Sequence, residues 1–499
     1  MGRYLSVDMG STSTTALVLD TERARVEAFR SLPNERETTT AADRTRGRSE
    51  WDLAGMVEDA VALCRRLLQA VPGGQIDGIG VTGQQQGCQL LDRSGALFGP
   101  LISWQDRRAD EPTDVSGDGR SCLAEIAELG EAERFAEGMP RLPRTGTPLH
   151  PKHAAAQLFW LQSHDSLPAH ASTSSVPDYL VHRLTDEAVA VEPTNAQGWG
   201  VYDVYARGWA LDLMSNLGLP QSLLPPLTAA ATVAGHLTAA IAERLGLPAG
   251  IPVAVASGDH QCAFVGAVDD HRDSVAINVG TGGQMSAFLE APLEPGWLEL
   301  RPAIQAGYLL TGASAVGGRS IRYLRDFVLG AAELVGGGAT IGGSGEQDRD
   351  LVYQRLVAEA MAAGPGAGGV RCSPLFSGGA NAPSRRASFE GLDAGNFTPG
   401  NLARALLNGM AEALHADYRH ALERGVTARR LLVGSGNGLR LNPVLREELA
   451  RRFDQRLQMG RLNEEAAVGA ALCAAVAVGE FGSVAEASAG VLATAHGPT

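Results

Sequence analysis

A chain of 499 residues with 44% apolar side chains is too long for one ordinary core, so two domains of similar size are expected. A formal charge of −14 argues against nonspecific binding to nucleic acid or to an anionic membrane. Lys152 is the only lysine and no Gly-Lys pair occurs, which excludes a Walker A loop and the strand lysine of protein kinases.

The chain opens on an apolar strand from Leu5 to Asp8, a tight turn Gly10-Ser11-Thr12-Ser13, and a second apolar strand to Leu19. A helix is predicted from Asp52 to Ala70, with Asp52 as N-cap and an apolar stripe of Leu53, Met56, Val57, Ala60, Val61, Cys64, Leu67 and Leu68. A strand follows at Ile76–Thr82, and another reaches Trp104 before a polar burst, Gln105-Asp106-Arg107-Arg108. This alternation indicates an α/β fold. Pro112 to Pro148, rich in Gly and Pro, read as surface loops or a lid edge, and helices are expected from Pro151 and over Pro177–Leu184. Gly250 to Gly258 read as a strand ending in a glycine, and the domain boundary is placed there, giving domains 1–256 and 257–499.

The second half restarts with a strand from Val275, a turn Gly280-Thr281-Gly282-Gly283, and a strand to Leu289. A helix is expected at Gly317–Leu329. Two glycine-rich stretches, Gly336–Gly345 and Gly364–Gly369, flank one further helix. A long helix is expected over Asn401–Arg424, then a strand at Arg430–Val433, a turn Gly434 to Gly438, a helix, a short strand, and a last helix over Asn463–Val478. The six cysteines are scattered with no Cys-x-x-Cys, which argues against structural zinc or a disulfide framework and suits a reducing, cytoplasmic setting. No signal peptide and no membrane span are expected.

The strand–turn–strand pattern is thus written twice, each time with Asp or Asn two residues before the turn glycine: Asp8 and Asn278. Backbone N–H groups of such turns bind anions, so two of them can hold one polyphosphate between the halves. Asp8 is either a Mg²⁺ ligand acting through water or an Asx-turn residue; Ser11, Thr12 and Ser13 either reach phosphate or cap the turn. Asp259, in Ser257-Gly-Asp-His-Gln-Cys262, follows a strand end and is either a general base or a helix N-cap, with His260 beside it as a substrate contact or a first-turn polar residue. Trp104, Gln105, Asp106 and Arg108 combine a ring face with amide, carboxylate and guanidinium groups, as sugar sites do. Gln84 and Gln86 in Thr82-Gly-Gln-Gln-Gln-Gly-Cys88, and Asn195 in Asn195-Ala-Gln-Gly-Trp199, supply further polar groups, the alternative being an ordinary polar loop. Gly434-Ser435-Gly436-Asn437 can lie flat against adenosine. Gly78-Ile-Gly-Val-Thr-Gly83 has dinucleotide-type spacing, but its first two glycines fall inside a strand, so that reading fails its context.

Taken in order, Asp8-x-Gly10-Ser-Thr-Ser13, Thr82-Gly-Gln84, Trp104-Gln-Asp106-x-Arg108, Gly258-Asp259, Gly280-Thr-Gly282, Gly434-Ser-Gly436 and Glu465-Ala-Ala-Val-Gly-Ala470 resemble the FGGY carbohydrate kinases of the actin-like ATPase superfamily. The resemblance runs from Tyr4 to about Gly479. It implies two actin-like (ribonuclease H-like) domains with an interdomain active-site cleft, sugar mainly on the first and ATP mainly on the second. It implies Asp259 as catalytic base, Asp8 and Asp259 near Mg²⁺, Gly10 to Ser13 and Gly280, Thr281 and Gly282 as phosphate loops, and Gly434 to Asn437 as the adenosine loop. It further implies a small-molecule sugar substrate, with a homodimer left open. Gly258 to Cys262, Ile277-Asn278 with Gln284, and Asn195 to Gly200 resemble most the sedoheptulokinase branch, which acts on the terminal hydroxyl of a seven-carbon ketose. Xylulokinases and other ketose or polyol kinases are the alternatives, and a non-catalytic actin-like switch is the rival of another class. Three departures from the family pattern stand out: Thr15 where Lys or Arg is usual, Gln85-Gln86 where Met-His is common, and Gly378-Gly-Ala-Asn-Ala-Pro383 in place of Gly-Glu-Arg-x-Pro.

Overall fold

The computed structural model describes residues 2–495, apart from 72, 74, 114–118, 135–138, 281, 314–316, 335–345, 377, 379–383 and 461. Thr281, the glycine-rich stretch 336–345 and most of the segment 378–383 therefore lie outside the described residues. In the first half, β1 (Arg3–Met9) and β2 (Ser13–Asp20) form an antiparallel hairpin with Asp8 opposite Thr15, and β3 (Arg25–Pro33) continues the sheet on β2. The Asp52 side chain accepts the Gly55 N–H (3.0 Å), capping α1 (Leu53–Ala70), whose buried residues include Leu53, Met56, Val57, Ala60, Val61, Cys64 and Leu67. β4 (Gly78–Gly83) runs parallel to β1 and sets Thr82 beside Asp8. Beyond α2 (Val176–Thr185), β5 (Val233–His236), β6 (Pro252–Ala254) and the short β7 (Ser257–Gly258) complete this sheet, with Ser257 beside Thr82. The chain then enters α3 (Asp259–Ala267).

The second half repeats the plan. β8 (Ser274–Val279) and β9 (Gly283–Leu289) make a hairpin with Asn278 opposite Gln284, and β10 (Glu299–Pro302) and β11 (Tyr308–Gly312) extend it beyond β9. Three helices follow, α4 (Gly318–Leu334), α5 (Glu346–Ala362) and α6 (Pro399–Glu423). β12 (Leu431–Ser435) then lies parallel to β8, and β13 (Leu457–Met459) parallel to β12. The sheet orders β6-β4-β1-β2-β3 and β13-β12-β8-β9-β11 correspond strand for strand in both position and direction. An internal duplication thus shows in topology as well as in the repeated turn.

Each sheet has its own core. Leu5, Val7, Val57, Val61, Ile79 and Leu180 fill the first, and Val275, Ile277, Leu406, Met410, Leu432 and Leu449 the second. A lobe built around Leu90, Trp160, Trp199 and Leu213 is carried by the first half. Two helices and a short strand pair, Glu133–Arg134 with Pro140–Arg141, differ from the sequence expectation. Within 112–148, Ser121 caps a short helix, Cys122–Leu129. After α7 (Glu465–Ala477) comes a further helix, α8 (Val484–Ala495), that the Ala- and Ser-rich tail did not announce.

The halves meet where α7 crosses α3. Apart from Ala466, α7 is buried from Glu465 to Val476, so its small side chains serve close approach rather than an amphipathic surface. A Cβ on Gly469 would overlap the Cys262 carbonyl, and one on Gly266 would overlap the Glu465 carbonyl. Alanine is the better helix former by about 1 kcal/mol, but overpacking against rigid backbone costs about 1–3 kcal/mol or more. Gly469→Ala is therefore expected to lower unfolding free energy by about 2 kcal/mol in urea titrations. A gain in stability would show that the helices do not cross this tightly.

Candidate active site

The C-terminal ends of β1, β4 and β7 lie side by side, with Asp8 beside Thr82 and Thr82 beside Ser257, two residues before Asp259. Neighbouring strands are about 4.8 Å apart, so the register alone brings the two carboxylates to one edge of the sheet. This is where open α/β sheets hold ligands. Gly258 is the N-cap of α3 and Asp259 its first residue; Asp259 Oδ1 accepts the neighbouring His260 N–H (2.7 Å). Burial raises the Asp259 carboxyl to about 6, although the Arg301 guanidinium pulls it down. Asp8 makes no Asx-turn: its Oδ1 is buried without a hydrogen-bond partner. Burial, then the charges of Asp259 and Glu464, push its carboxyl up to about 8.

Three glycine-bearing turns face this edge. In the first, Ser11 Oγ accepts the Trp104 indole N–H (3.2 Å), tying turn Gly10 to Ser13 to the loop after the Ile102 strand, while Thr12 is exposed. In the second, the Gly280 N–H donates to the Gly282 carbonyl and the Gly318 N–H to the Gly280 carbonyl (both 2.9 Å), so the start of α4 rests on the turn. Nothing lies within 4 Å of a Cβ built on Gly280 or Gly282. In the third, Gly436 takes φ +86°, and a Cβ there would sit 2.6 Å from the Val279 carbonyl. Its N–H donates to Glu465 Oε1 (3.3 Å), which also accepts from Arg440 (2.6 Å). Ser435 is buried and Asn437 exposed beside it.

On the side of the first half, Gln84 is buried with Oε1 unpartnered, and Gln86 is half-buried with φ +62°. Asn195 donates to the Ala256 carbonyl (3.3 Å) and keeps an unpartnered buried Oδ1. Thr194 holds it there: its hydroxyl accepts the Gly258 N–H (2.8 Å), and its carbonyl accepts from Gln85 Nε2 (2.7 Å). The His260 ring turns toward β9 and β11, within 3.1 Å of Ser286 Oγ and 3.4 Å of Thr311 Oγ1; burial keeps it neutral, near 3. Trp104 is half-buried and Gln105 exposed. Asp106 and Arg108 require a correction. Asp106 is 0% and Arg108 2% exposed, and both Asp106 oxygens are taken by Arg108 and by the N–H groups of Ser49 and Arg108. Arg108 also pairs with Glu50 (2.6 Å) and lies over the Trp160 ring (5.2 Å). Together they brace the loop that carries Trp104, which leaves no free acceptor on Asp106 for a sugar.

Four charged residues near this edge were not singled out from the sequence. Glu464 opens α7 in a left-handed conformation (φ +60°) and faces Asp8 electrostatically. Glu299 and Arg301, two apart on β10, form a buried ion pair (2.6 Å). Arg301 is the charge felt by Asp259 and His260. Lys152 is within electrostatic reach of both; its standing as the only lysine was visible but carried no role. Among the described residues no helix is long and apolar enough to cross a membrane.

Duplicated actin-like halves, carboxylates at a shared strand edge and glycine turns facing them define a two-domain phosphotransferase. Residues 3–266 match the N-terminal domain, and 275–478 the C-terminal domain, of the FGGY family of carbohydrate kinases. The chain belongs to that family and is a sugar kinase. It is 27% identical to the sedoheptulokinase of Mus musculus over 94% of this chain and 96% of that one, and 26% identical to the L-fuculokinase of Escherichia coli O157:H7 over 97% and 94%. The crystal structure of xylulose kinase from Rhodospirillum rubrum superposes with a TM-score of 0.79 at 26% identity, covering 98% of this chain and 92% of that one.

Proposed function

We propose that the protein transfers the γ-phosphoryl group of ATP to the terminal hydroxyl of a ketose, with sedoheptulose the favoured acceptor. The observation that carries the reading is the Asp259 carboxyl, raised to about 6 at the strand edge opposite the glycine turns, where a general base must be charged yet still basic near neutral pH. Asp259 takes the hydroxyl proton as the sugar oxygen bonds to the γ-phosphorus. The bond from that phosphorus to the bridging oxygen breaks, and its electron pair leaves with ADP. Gly10 to Ser13 and Gly280 to Gly282 cradle the phosphates, and Gly434 to Asn437 take the adenosine. Trp104, Gln84, Gln86 and Asn195 face the sugar, held by residues 1–256, with the nucleotide on 257–499.

Mg²⁺ fits beside Asp8, where a buried carboxylate oxygen has no partner and the charges of Asp259 and Glu464 both act against its ionisation. No three His, Cys, Asp or Glu side chains among the described residues close on a bare ion, which suits an ion that keeps most of its water. When bound, it supplies positive charge to the phosphates, a role Thr15 cannot fill in place of a basic residue. Sedoheptulose is favoured because Gly258 to Cys262, Ile277-Asn278 with Gln284, and Asn195 to Gly200 resemble the sedoheptulokinase branch most, and the mouse sedoheptulokinase is 27% identical over 94% of the chain. The six cysteines are free, in keeping with a reducing cytoplasm. The test is ADP release with Mg-ATP across sedoheptulose, xylulose, ribulose, fructose, glycerol and erythritol. Strong stimulation by sedoheptulose is expected; stimulation by xylulose alone would move the assignment, and stimulation by none would overturn the assignment of the acceptor to this set of ketoses and polyols.

A further inference from the structure

Lys152 is half-buried, and among the described residues its ammonium makes no hydrogen bond and no ion pair within 4 Å. A charge kept partly out of water without a partner is costly. Its surroundings are the walls of the sugar side. The Lys152 carbonyl accepts the Gly87 N–H (2.8 Å), directly after Gln86, and the next residue, His153, packs its ring 2.8 Å from where a Cβ on Gly200 would stand. Gln197, two residues after Asn195, donates to the Leu300 carbonyl (2.8 Å), which fixes β10 and its flanking Glu299 and Arg301 against the same segment. Gln261 on α3 does likewise at the Pro302 carbonyl (3.2 Å).

The charges here are arranged in order. Arg301 acts on Asp259, Glu299 is paired to Arg301 through Oε2, and Lys152 acts on Glu299 and Arg301. The other oxygen of Glu299, Oε1, takes no hydrogen bond from the described residues. His150 and His153 are held neutral by burial and by Lys152, so they do not answer its charge; His153 Nδ1 is itself buried without a partner. An ammonium donor within electrostatic reach of a carboxylate oxygen, yet more than 4 Å from it, leaves room for the two to hold neighbouring oxygens of a polyhydroxylated ligand.

We propose that Lys152 is a specificity-determining residue, its Nζ and Glu299 Oε1 together holding hydroxyl or carbonyl oxygens of the acceptor at the end away from the transferred phosphoryl group. This rests on the kinase reading for the site, but is tested apart from it. Because the chain has one lysine, acetylation by N-hydroxysuccinimidyl acetate reports Lys152 alone, with the chain's amino terminus as internal reference. The reaction is followed by mass spectrometry without ATP, across the same six sugars. An accepted sugar is expected to slow Lys152 acetylation about tenfold and leave the reference rate unchanged. In Lys152→Met, KM for the sugar should rise about tenfold, the loss of one charged hydrogen bond, with kcat and KM for ATP nearly unchanged. Lys152→Arg should recover part of that loss. Protection by none of the sugars, or an unchanged sugar KM in Lys152→Met, overturns the proposal. ADP release stimulated by none overturns the proposed acceptor assignment instead, whatever the acetylation shows.

Discussion

Replacing Asp259 with Asn should lower kcat about 10³-fold while leaving ATP binding and thermal unfolding near wild type, since a positioned general base contributes about 10²–10⁴-fold. The substitution keeps the shape of the side chain and an oxygen that can accept the His260 N–H, so the start of α3 is retained. What is lost is, among the described residues, the only carboxylate placed both at the strand edge and beside the sugar-side segment that Thr194 clamps. The pH profile supplies a second readout. Burial raises this carboxyl to about 6, so the fraction able to accept a proton falls tenfold per unit below that pH. Wild-type kcat/KM should follow that limb, and the residual rate of Asp259→Asn should be flat across it. Turnover in the variant within about threefold of wild type would remove Asp259 from the mechanism.

Local features of the site were legible in the sequence and nonlocal ones were not. The hairpin turns, Asp8 and Asp259 each sit in a short segment whose composition already states strand, turn and strand, and the register that joins them follows once both strands are parallel to β4. The start of α1 was legible for the same reason, because its cap and apolar stripe lie within one segment. Asp106 and Arg108 misled because a polar burst after a strand reads alike whether it meets a ligand or itself; only the fold shows Glu50 and Trp160 closing on Arg108. Glu299 and Arg301 lie about 40 residues beyond Asp259, on a strand of the other half, so no spacing announces them. The helix at Cys122–Leu129 did carry a signal, Ser121 as cap, outweighed by the Gly and Pro around it. The tail helix α8 carried little, since Ala, Ser and Gly suit loops as readily as helices.

Asp8→Asn should stabilise the free protein at pH 8 and disable the enzyme. The Asp8 carboxyl is raised from 3.8 to about 8 in the folded state, so between those values the folded chain holds a proton that the unfolded chain releases. Stability contributed by this group therefore falls as pH rises from about 4 to about 8, the reverse of an ordinary salt-bridged carboxylate. The neutral amide escapes that penalty, and also the repulsion from Asp259 and Glu464. The side chain is only half-buried, so solvent screening reduces the gain to about 2 kcal/mol, a rise of a few degrees in Tm at pH 8 that shrinks toward pH 5. The same change removes the charge that fits Mg²⁺, so kinase activity should drop about 100-fold and the Tm increase on adding Mg-ATP should diminish. Such a trade of stability for function is common where like charges are gathered for a ligand. An Asp8→Asn protein no more stable than wild type at pH 8 would mean that Asp8 is relieved by a partner in the free protein, and the metal assignment would lose its basis.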